Sequence, residues 1–484
     1  MISKAPKVIL FIVMDTARYK SFNFESDKVN PNVNRFISNY NFLNFKRAIS
    51  PAPWTIPSHV SMFTGDLPSK HGCKDYGFKV SDEIPYLPSI LREKNYRTVG
   101  ITSNGLLTSA SNFNRGFDDY YSTWNYFQNT REFYRIKHTI AKHRVKGLLK
   151  IGSHMLRNNP LKSLSNILYR KMYSVKNDST PSTKRTTLLA IEELQKTVDK
   201  SQNLFLFLNY MQPHMDYNPP EPYRSKFKGN FSGNISQSPI DFYSGNMSED
   251  NLSILEKLYM GEISYLDSEV GQVIKKMEDT GLIDDSSIFI VSDHGEHIGE
   301  HNHISHYFSL YNEVVHVPLF VKLPKDSIDI GVNPDEDFVS TADIFPTICS
   351  IINHDLGDKN IYSFQEGKRA EVISELYMPS EYDYFIESCK KINPSFSKSD
   401  FVKAGMQNQK AIFFKNKKLI LRKENNNELF NFRDDYSEQN NILGSSNQEE
   451  IASIIDNHML KIARSKISVG SDKMQERLRK LGYY

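Results

Sequence analysis

Three cysteines in 484 residues, Cys73, Cys349 and Cys389, are too few for a disulfide framework, and with no C-x-x-C spacing they build no zinc site. They are expected to be buried or free thiols. Long hydrophobic runs are also missing. The apolar run near the N-terminus, Val8 to Met14, is too short for a membrane helix and lacks a signal peptide's small-residue cleavage site. The expectation is a cytoplasmic protein with no transmembrane segment. Charge of one sign is scarce too: 60 basic against 57 acidic residues leave a net +3, which gives no argument for nucleic acid or any other polyanion as a general partner. Internal repeats and low-complexity tracts are absent. At about three times the size of a typical domain, the chain has room for a large α/β enzyme with a small appendage.

What is present is a series of buried-strand patterns that end in chemistry-bearing residues. Lys7 to Met14 is a continuous β-rich run, as in a parallel strand covered on both faces. Asp15 therefore falls at its C-terminal end, the edge where open α/β sheets bind ligands, and a carboxylate there suits a metal ion. Arg97 to Thr102, Leu204 to Leu208 and Ser287 to Val291 repeat the pattern. Leu208 runs into N-Y-M-Q-P-H-M-D-Y-N-P-P, which holds His214 among prolines. Val291 runs into S-D-H-G-E-H-I-G-E-H-N-H-I-S-H, where Asp293 and His294 can give one hard oxygen and one imidazole to the same divalent ion. Helices are expected over Ile84 to Lys94, Thr186 to Lys200, Ser248 to Thr280 and Gln448 to Arg464. A strand is expected at Glu371 to Glu375 and an antiparallel hairpin within Ala411 to Phe432.

The segment Ala48 to Gly72 reads A-I-S-P-A-P-W-T-I-P-S-H-V-S-M-F-T-G-D-L-P-S-K-H-G. Pro51, Pro53 and Pro57 bar an early helix, and Ser58 is placed to cap a short one from His59 to Thr64 whose free N–H groups make an anion site. Thr55, just ahead of it, is the candidate nucleophile, because backbone donors and the helix dipole would stabilise the oxyanion it attacks.

The run T-x-P-S-H-x-S-x-F-T-G followed by L-P-S-K-H-G resembles the nucleophile signature of the sulfatase family of the alkaline phosphatase superfamily, which commonly reads C/S-x-P-x-R, then T-G, then P-x-x-H-G. Thr55 stands at the family's Cys/Ser, Pro57 at its proline and His59 at its arginine. I-V-M-D-T-A-R resembles the family's opening strand, with Thr16 where a second Asp often stands. P-H-x-x-Y is matched by Pro213, His214 and Tyr217. Tyr259 to Asp267 matches the family's long helix, and Ser309 to Leu319 its S-L-Y-x-E-x-x-x-V-P-L run. The resemblance implies an alkaline-phosphatase-like α/β fold, with a large, mostly parallel sheet between helices and a small C-terminal α+β subdomain. The division expected is 1–400 and 401–484. It also implies one divalent cation, Mn²⁺, Zn²⁺, Mg²⁺ or Ca²⁺, held by Asp15, Asp293 and His294 next to Thr55. His214 is then a substrate contact, His306 lies on the leaving-group side, and Asn104 is a substrate-side residue or simply a turn residue. His297 lies near the metal, while His301 and His303 are assigned to the surface.

Thr55 decides the reaction class expected. Sulfatases of this family oxidise a Cys or Ser to formylglycine, and a threonine yields no aldehyde. Thr55 and His294 instead resemble the phosphodiesterase and phosphoglycerol- or phosphoethanolamine-transferase branches. The expected substrate is an anionic phosphodiester or phosphonate-type ester, lipid- or glycan-linked ones included. The alternatives are a sulfatase and a catalytically silent binder of anionic glycans. Residues 126–185 form an unmatched insertion: Arg131 to Lys176 holds twelve Lys/Arg against a single acid, Glu132. It reads as basic amphipathic helices serving either as a lid or anionic-surface contact, or as a solvated face.

Overall fold

The computed structural model describes residues 5–22, 28–74, 78–123, 181–228, 235–306, 308–324, 330–357, 362–378, 383–396, 405–423, 426–446 and 448–463. The basic segment Arg131 to Lys176 and the tail beyond residue 463 lie outside them.

A seven-stranded sheet runs in the order Leu43–Asn44, Leu319–Lys322, Ser286–Ser292, Val8–Met14, Leu204–Tyr210, Arg97–Thr102 and Asp119–Ser122. The neighbours from Ser286–Ser292 to Asp119–Ser122 pair in parallel, and Leu319–Lys322 pairs antiparallel on both sides. Val8–Met14 is central and fully buried, which is why its sequence is an unbroken apolar run rather than an alternation. Its side chains still sort by face. Ile9, Phe11 and Val13 pack with Val60 and Phe63 of helix Thr55–Thr64, whereas Val8, Leu10 and Ile12 pack with Ile263, Leu266 and Val270 of helix Glu249–Asp279. Phe63 is the hub of the first layer, with its ring 5.0 Å from Phe207 and from Phe113 and 5.7 Å from Phe11.

The smaller sheet is antiparallel, in the order Val372–Leu376, Gln409–Phe414, Lys417–Arg422 and Glu428–Asn431. The hairpin expected at Ala411 to Phe432 is thus part of a larger unit that reaches back before residue 401. Its two faces diverge by the strand period of two: Ala411, Phe413 and Ile420 pack against Ile49, Leu310 and Val314, while Ile412, Phe414 and Leu419 pack against Ile451 of helix Gln448–Ala463. The Glu375 N–H donates to the Pro51 carbonyl at 2.9 Å, and its side chain accepts from the Ser69 N–H at 2.7 Å. These bonds fix the small sheet against the Ala48 to Gly72 segment.

Three helix starts differ from expectation. The helix expected from Thr186 begins at Pro181. The helix expected from Ile84 begins at Leu87, with Pro88 in its first turn. The helix expected from His59 begins at Thr55, and Pro57 sits in its first turn, where a missing N–H costs nothing. Pro57 is thus a helix starter rather than a barrier. All three cysteines are buried thiols.

Candidate metal centre and nucleophile

Register brings the chemistry together. Met14 pairs with both Tyr210 and Ser292, and Thr102 pairs with Asn209, so four adjacent strands end level and their loops share one edge. Asp15, Asn104, His214, Asp293 and His294 all emerge there. The Asp15 N–H donates to the Tyr210 carbonyl at 3.0 Å, which prolongs the ladder by one residue. Thr16 then turns the chain with φ 62°, an unusual value for a β-branched residue. It is held by its N–H to Asp293 Oδ1 at 3.3 Å and by its carbonyl, which accepts from the Tyr259 hydroxyl at 2.8 Å. The threonine at the second-Asp position therefore serves the backbone of the turn.

Asp15, Asp293 and His294 are wholly buried and present one ligand atom each within 4.8 Å of one another. His294 Nε2 lies 3.4 Å from Asp293 Oδ2 and 3.9 Å from Asp15 Oδ1. His294 Nδ1 is 3.0 Å from the Gly295 carbonyl and must donate to it, which leaves the Nε2 lone pair aimed at the two carboxylates. Asp15 Oδ1 and Asp293 Oδ2 accept no hydrogen bond, while the other oxygens are committed: Asn104 Nδ2 donates to Asp15 Oδ2 at 2.6 Å, and the His294 N–H donates to Asp293 Oδ1 at 2.9 Å. Burial pushes the Asp15 carboxyl up to about 6. It also raises Asp293, with the Asp15 charge adding to the effect. Two buried carboxyls with idle oxygens beside a free imidazole nitrogen are a donor set that fits a divalent cation, which would reverse both shifts.

Thr55 occupies the first position of its helix and is 1% exposed, with Oγ1 3.5 Å from His294 Nε2. Trp54 precedes the helix in an extended conformation and no side chain caps it. Ser58 does not cap either. Its hydroxyl donates to the Asp293 carbonyl at 2.6 Å, and the Ser50 hydroxyl donates to the same oxygen, so the helix that begins at Thr55 is tied to the loop of Asp293 and His294. The Ser58 N–H goes to the Trp54 carbonyl, which leaves the N–H groups of Thr55 and Ile56 at the helix start.

His59 lies one turn below, with Nδ1 donating to the Thr55 carbonyl at 2.8 Å and standing 3.4 Å from Asp293 Oδ2. Its ring meets Phe113 and Phe207 edge-on, and burial drives its pKa down to about 3. A neutral imidazole supports Thr55 and Asp293 from beneath, where the family's arginine would bring a charge.

His214 and His306 stand beside the first cluster. The His306 ring centre is 4.4 Å from that of His294 and 5.3 Å from that of His214. Between them lies a residue that sequence reasoning missed. Glu296 is wholly buried, with Oε1 3.2 Å from His306 Nδ1 and Oε2 accepting from the Tyr217 hydroxyl at 2.5 Å and the Met215 N–H at 3.3 Å. Its one signal in the sequence is its place two residues after His294. The Asn104 amide holds Asp15, and its N–H bonds Asn209 Oδ1 at 3.1 Å. The surface assignment of His301 and His303 is also overturned. His303 is 3% exposed with Nδ1 3.1 Å from the Tyr243 hydroxyl, and His301 is half-buried, stacked on Tyr311 at 3.8 Å. His297 is buried and pairs with Ser309 Oγ at 2.6 Å.

A mostly parallel sheet whose strand ends gather three residues able to hold a metal ion and a helix-borne hydroxyl is the arrangement of an alkaline-phosphatase-like fold. Within that class the chain belongs to the sulfatase family, whose sequence model matches residues 7–354. Mouse (Mus musculus) iduronate 2-sulfatase is 23% identical over 402 residues, covering 71% of this chain and 68% of the relative. The human (Homo sapiens) enzyme is 23% identical over 358 residues, 65% of this chain and 59% of its own length. Among solved structures, the phosphonate monoester hydrolase of Agrobacterium radiobacter superimposes with a TM-score of 0.64 at 16% identity, covering 95% of each chain. A 2-O GAG sulfatase gives 0.63 at 14% identity, covering 98% of this chain and 96% of that one. The family is metal-dependent, typically through Ca²⁺ or Mg²⁺. Among the described residues no helix is long and apolar enough to cross a membrane.

Proposed function

We propose that the chain hydrolyses, or transfers the phosphoryl-linked group of, phosphodiester or phosphonate-type esters, with Thr55 as nucleophile. The observation that carries this reading is Thr55 itself, a secondary hydroxyl 3.5 Å from His294 Nε2 at an uncapped helix start, where the formylglycine chemistry of a sulfatase needs a Cys or Ser. A cation held by Asp15, Asp293 and His294 supplies Lewis-acid activation of the hydroxyl and of the ester oxygen. Thr55 Oγ1 gives its proton to solvent and forms the new P–O bond, while the electron pair of the breaking bond passes to the leaving oxygen on the side of His214 and His306, where water or a histidine supplies its proton. The N–H groups of Thr55 and Ile56 lie at the helix end that favours anions. Water or an acceptor hydroxyl then attacks phosphorus directly and frees Thr55. A sulfo-threonine lacks the collapse to an aldehyde by which formylglycine expels sulfate.

Sulfate-ester hydrolysis is the second reading, favoured by the names of the sequence relatives. Metal-loaded protein given matched aryl phosphodiester, phosphomonoester and sulfate substrates, then quenched in acid for mass analysis, separates the two. The expected result is preferential phosphodiester turnover with an adduct on Thr55. A preference for the sulfate ester, with no adduct, returns the chain to the sulfatases.

A further inference from the structure

We propose that His214, Glu296 and His306 form a second divalent-cation site beside the first, so that the chain works with two cations; its catalytic use rests on the phosphoester reading above.

The first argument is geometric. The three residues present one ligand atom each within 4.8 Å of one another. Glu296 Oε1 and His306 Nδ1 are 3.2 Å apart, close to the spacing of two ligands that share an ion at about 2.1 Å in tetrahedral geometry. The Tyr217 hydroxyl and the Met215 N–H occupy Glu296 Oε2, which orients Oε1 toward the imidazoles. His214 Nδ1 donates to the Met215 carbonyl, so its Nε2 carries the lone pair.

The second argument is charge. Asp15, Asp293 and Glu296 are three carboxylates at 0% exposure, and among the described residues no lysine or arginine forms an ion pair with any of them; their ion-pair partners are His59, His294 and His306. One divalent ion against three carboxylates leaves the site at −1, and an anionic ester would have to enter that field. Two ions leave it at +1, which attracts such a substrate. The cluster of His301, Glu313 and Glu438 is instructive by contrast. It has the same ligand types within the same distance, but Lys418 Nζ lies 2.7 Å from Glu438 Oε1, so that cluster already contains its cation. Buried charge needs a partner in both places, and beside His294 the described residues supply no such cation.

In this arrangement the electron pair of the breaking P–O bond passes to the leaving oxygen, water supplies its proton, and a cation held by His214, Glu296 and His306 would offset the charge that develops there. The rival arrangement is a protonated His306 oriented by Glu296.

Elemental analysis of full-length protein, stripped with chelator, reloaded with Mn²⁺ and freed of excess metal, separates the two. Two equivalents are expected in the wild type, and one in each of Glu296→Gln, His306→Ala and Asp293→Asn. Paramagnetic resonance should show coupled Mn²⁺ pairs in the wild type alone, and circular dichroism confirms that each variant is folded. A single equivalent in the wild type, unchanged in Glu296→Gln and His306→Ala, overturns the proposal in favour of the proton donor. So does a second equivalent that is lost in His301→Ala and kept in Glu296→Gln. Two equivalents together with a preference for sulfate esters would leave this site standing and defeat the phosphoester reading instead.

Discussion

Replacing Thr55 by serine keeps the hydroxyl and deletes one methyl group at a position 1% exposed. The lost burial costs about 1 kcal/mol of stability. The kinetic effect comes from rotamer freedom: a β-branched threonine in a helix is held to two χ1 wells, whereas serine samples more, so the fraction with Oγ aimed at the cluster falls by at most about threefold. Thr55→Ser should therefore retain kcat within about two- to fivefold of the wild type, with KM unchanged because Asp15, Asp293 and His294 are untouched. Thr55→Ala removes the bond-forming oxygen and should lose about four to six orders of magnitude in kcat. Initial rates on an aryl phosphodiester, with intact mass after acid quench, read both variants: the serine protein should carry the adduct at position 55 and the alanine protein none. The serine would also restore part of the family's modification motif, but His59 still stands in place of its arginine, so sulfate turnover should stay low. An alanine variant within about tenfold of the wild type, or a serine variant that turns over sulfate faster than phosphodiester, would refute the reasoning.

Asn104→Ala removes the 2.6 Å amide bond that fixes Asp15 and should weaken metal affinity about 10- to 100-fold, as read by competition with a chromogenic chelator. Gly295→Ala would set a Cβ 2.0 Å from the Glu313 carbonyl oxygen, a backbone contact that cannot swing aside, so the Asp293–His294 loop should shift; reduced metal content and a loss of at least about 1–3 kcal/mol in urea unfolding are expected. Glu262 tests pH linkage away from the site. Burial raises its carboxyl from 4.5 to about 8, with Oε1 accepting from the Asn218 N–H and Oε2 buried without a hydrogen bond. A carboxyl raised in the folded state stabilises below its unfolded pKa and loses that contribution as pH rises through the folded value, a change of up to roughly 5 kcal/mol. Glu262→Gln keeps the Asn218 bond and has no proton to lose, so its stability should match the wild type near pH 4.5 and exceed it above pH 8; parallel pH profiles would refute the assignment.

The parts of the site legible in the sequence are those fixed by strand ends. A buried parallel strand announces itself as an apolar run, and the residue after it must lie on the ligand edge, so Asp15, His214, Asp293 and His294 can be placed from the sequence alone. Strand Arg97–Thr102 is bounded to the residue for the same reason. Residues whose position depends on packing between distant segments carry no such signal. Ser58 looks like a helix cap because capping is local chemistry, yet the Asp293 carbonyl, 235 residues away, takes its hydroxyl. His303 looks like a surface residue in a polar, histidine-rich run, and is buried with Tyr243 packed against its ring and bonded to its Nδ1. Glu296 goes unmarked because a glutamate between two histidines has no periodicity to signal it, and only the fold shows that Tyr217, 79 residues upstream, holds one oxygen and turns the other toward His306. The same fact governs how charge is read in this chain. A net +3 says nothing about a site in which three buried carboxylates form no ion pair with any described lysine or arginine, because electrostatic demand is set locally, by what burial allows to remain unpaired.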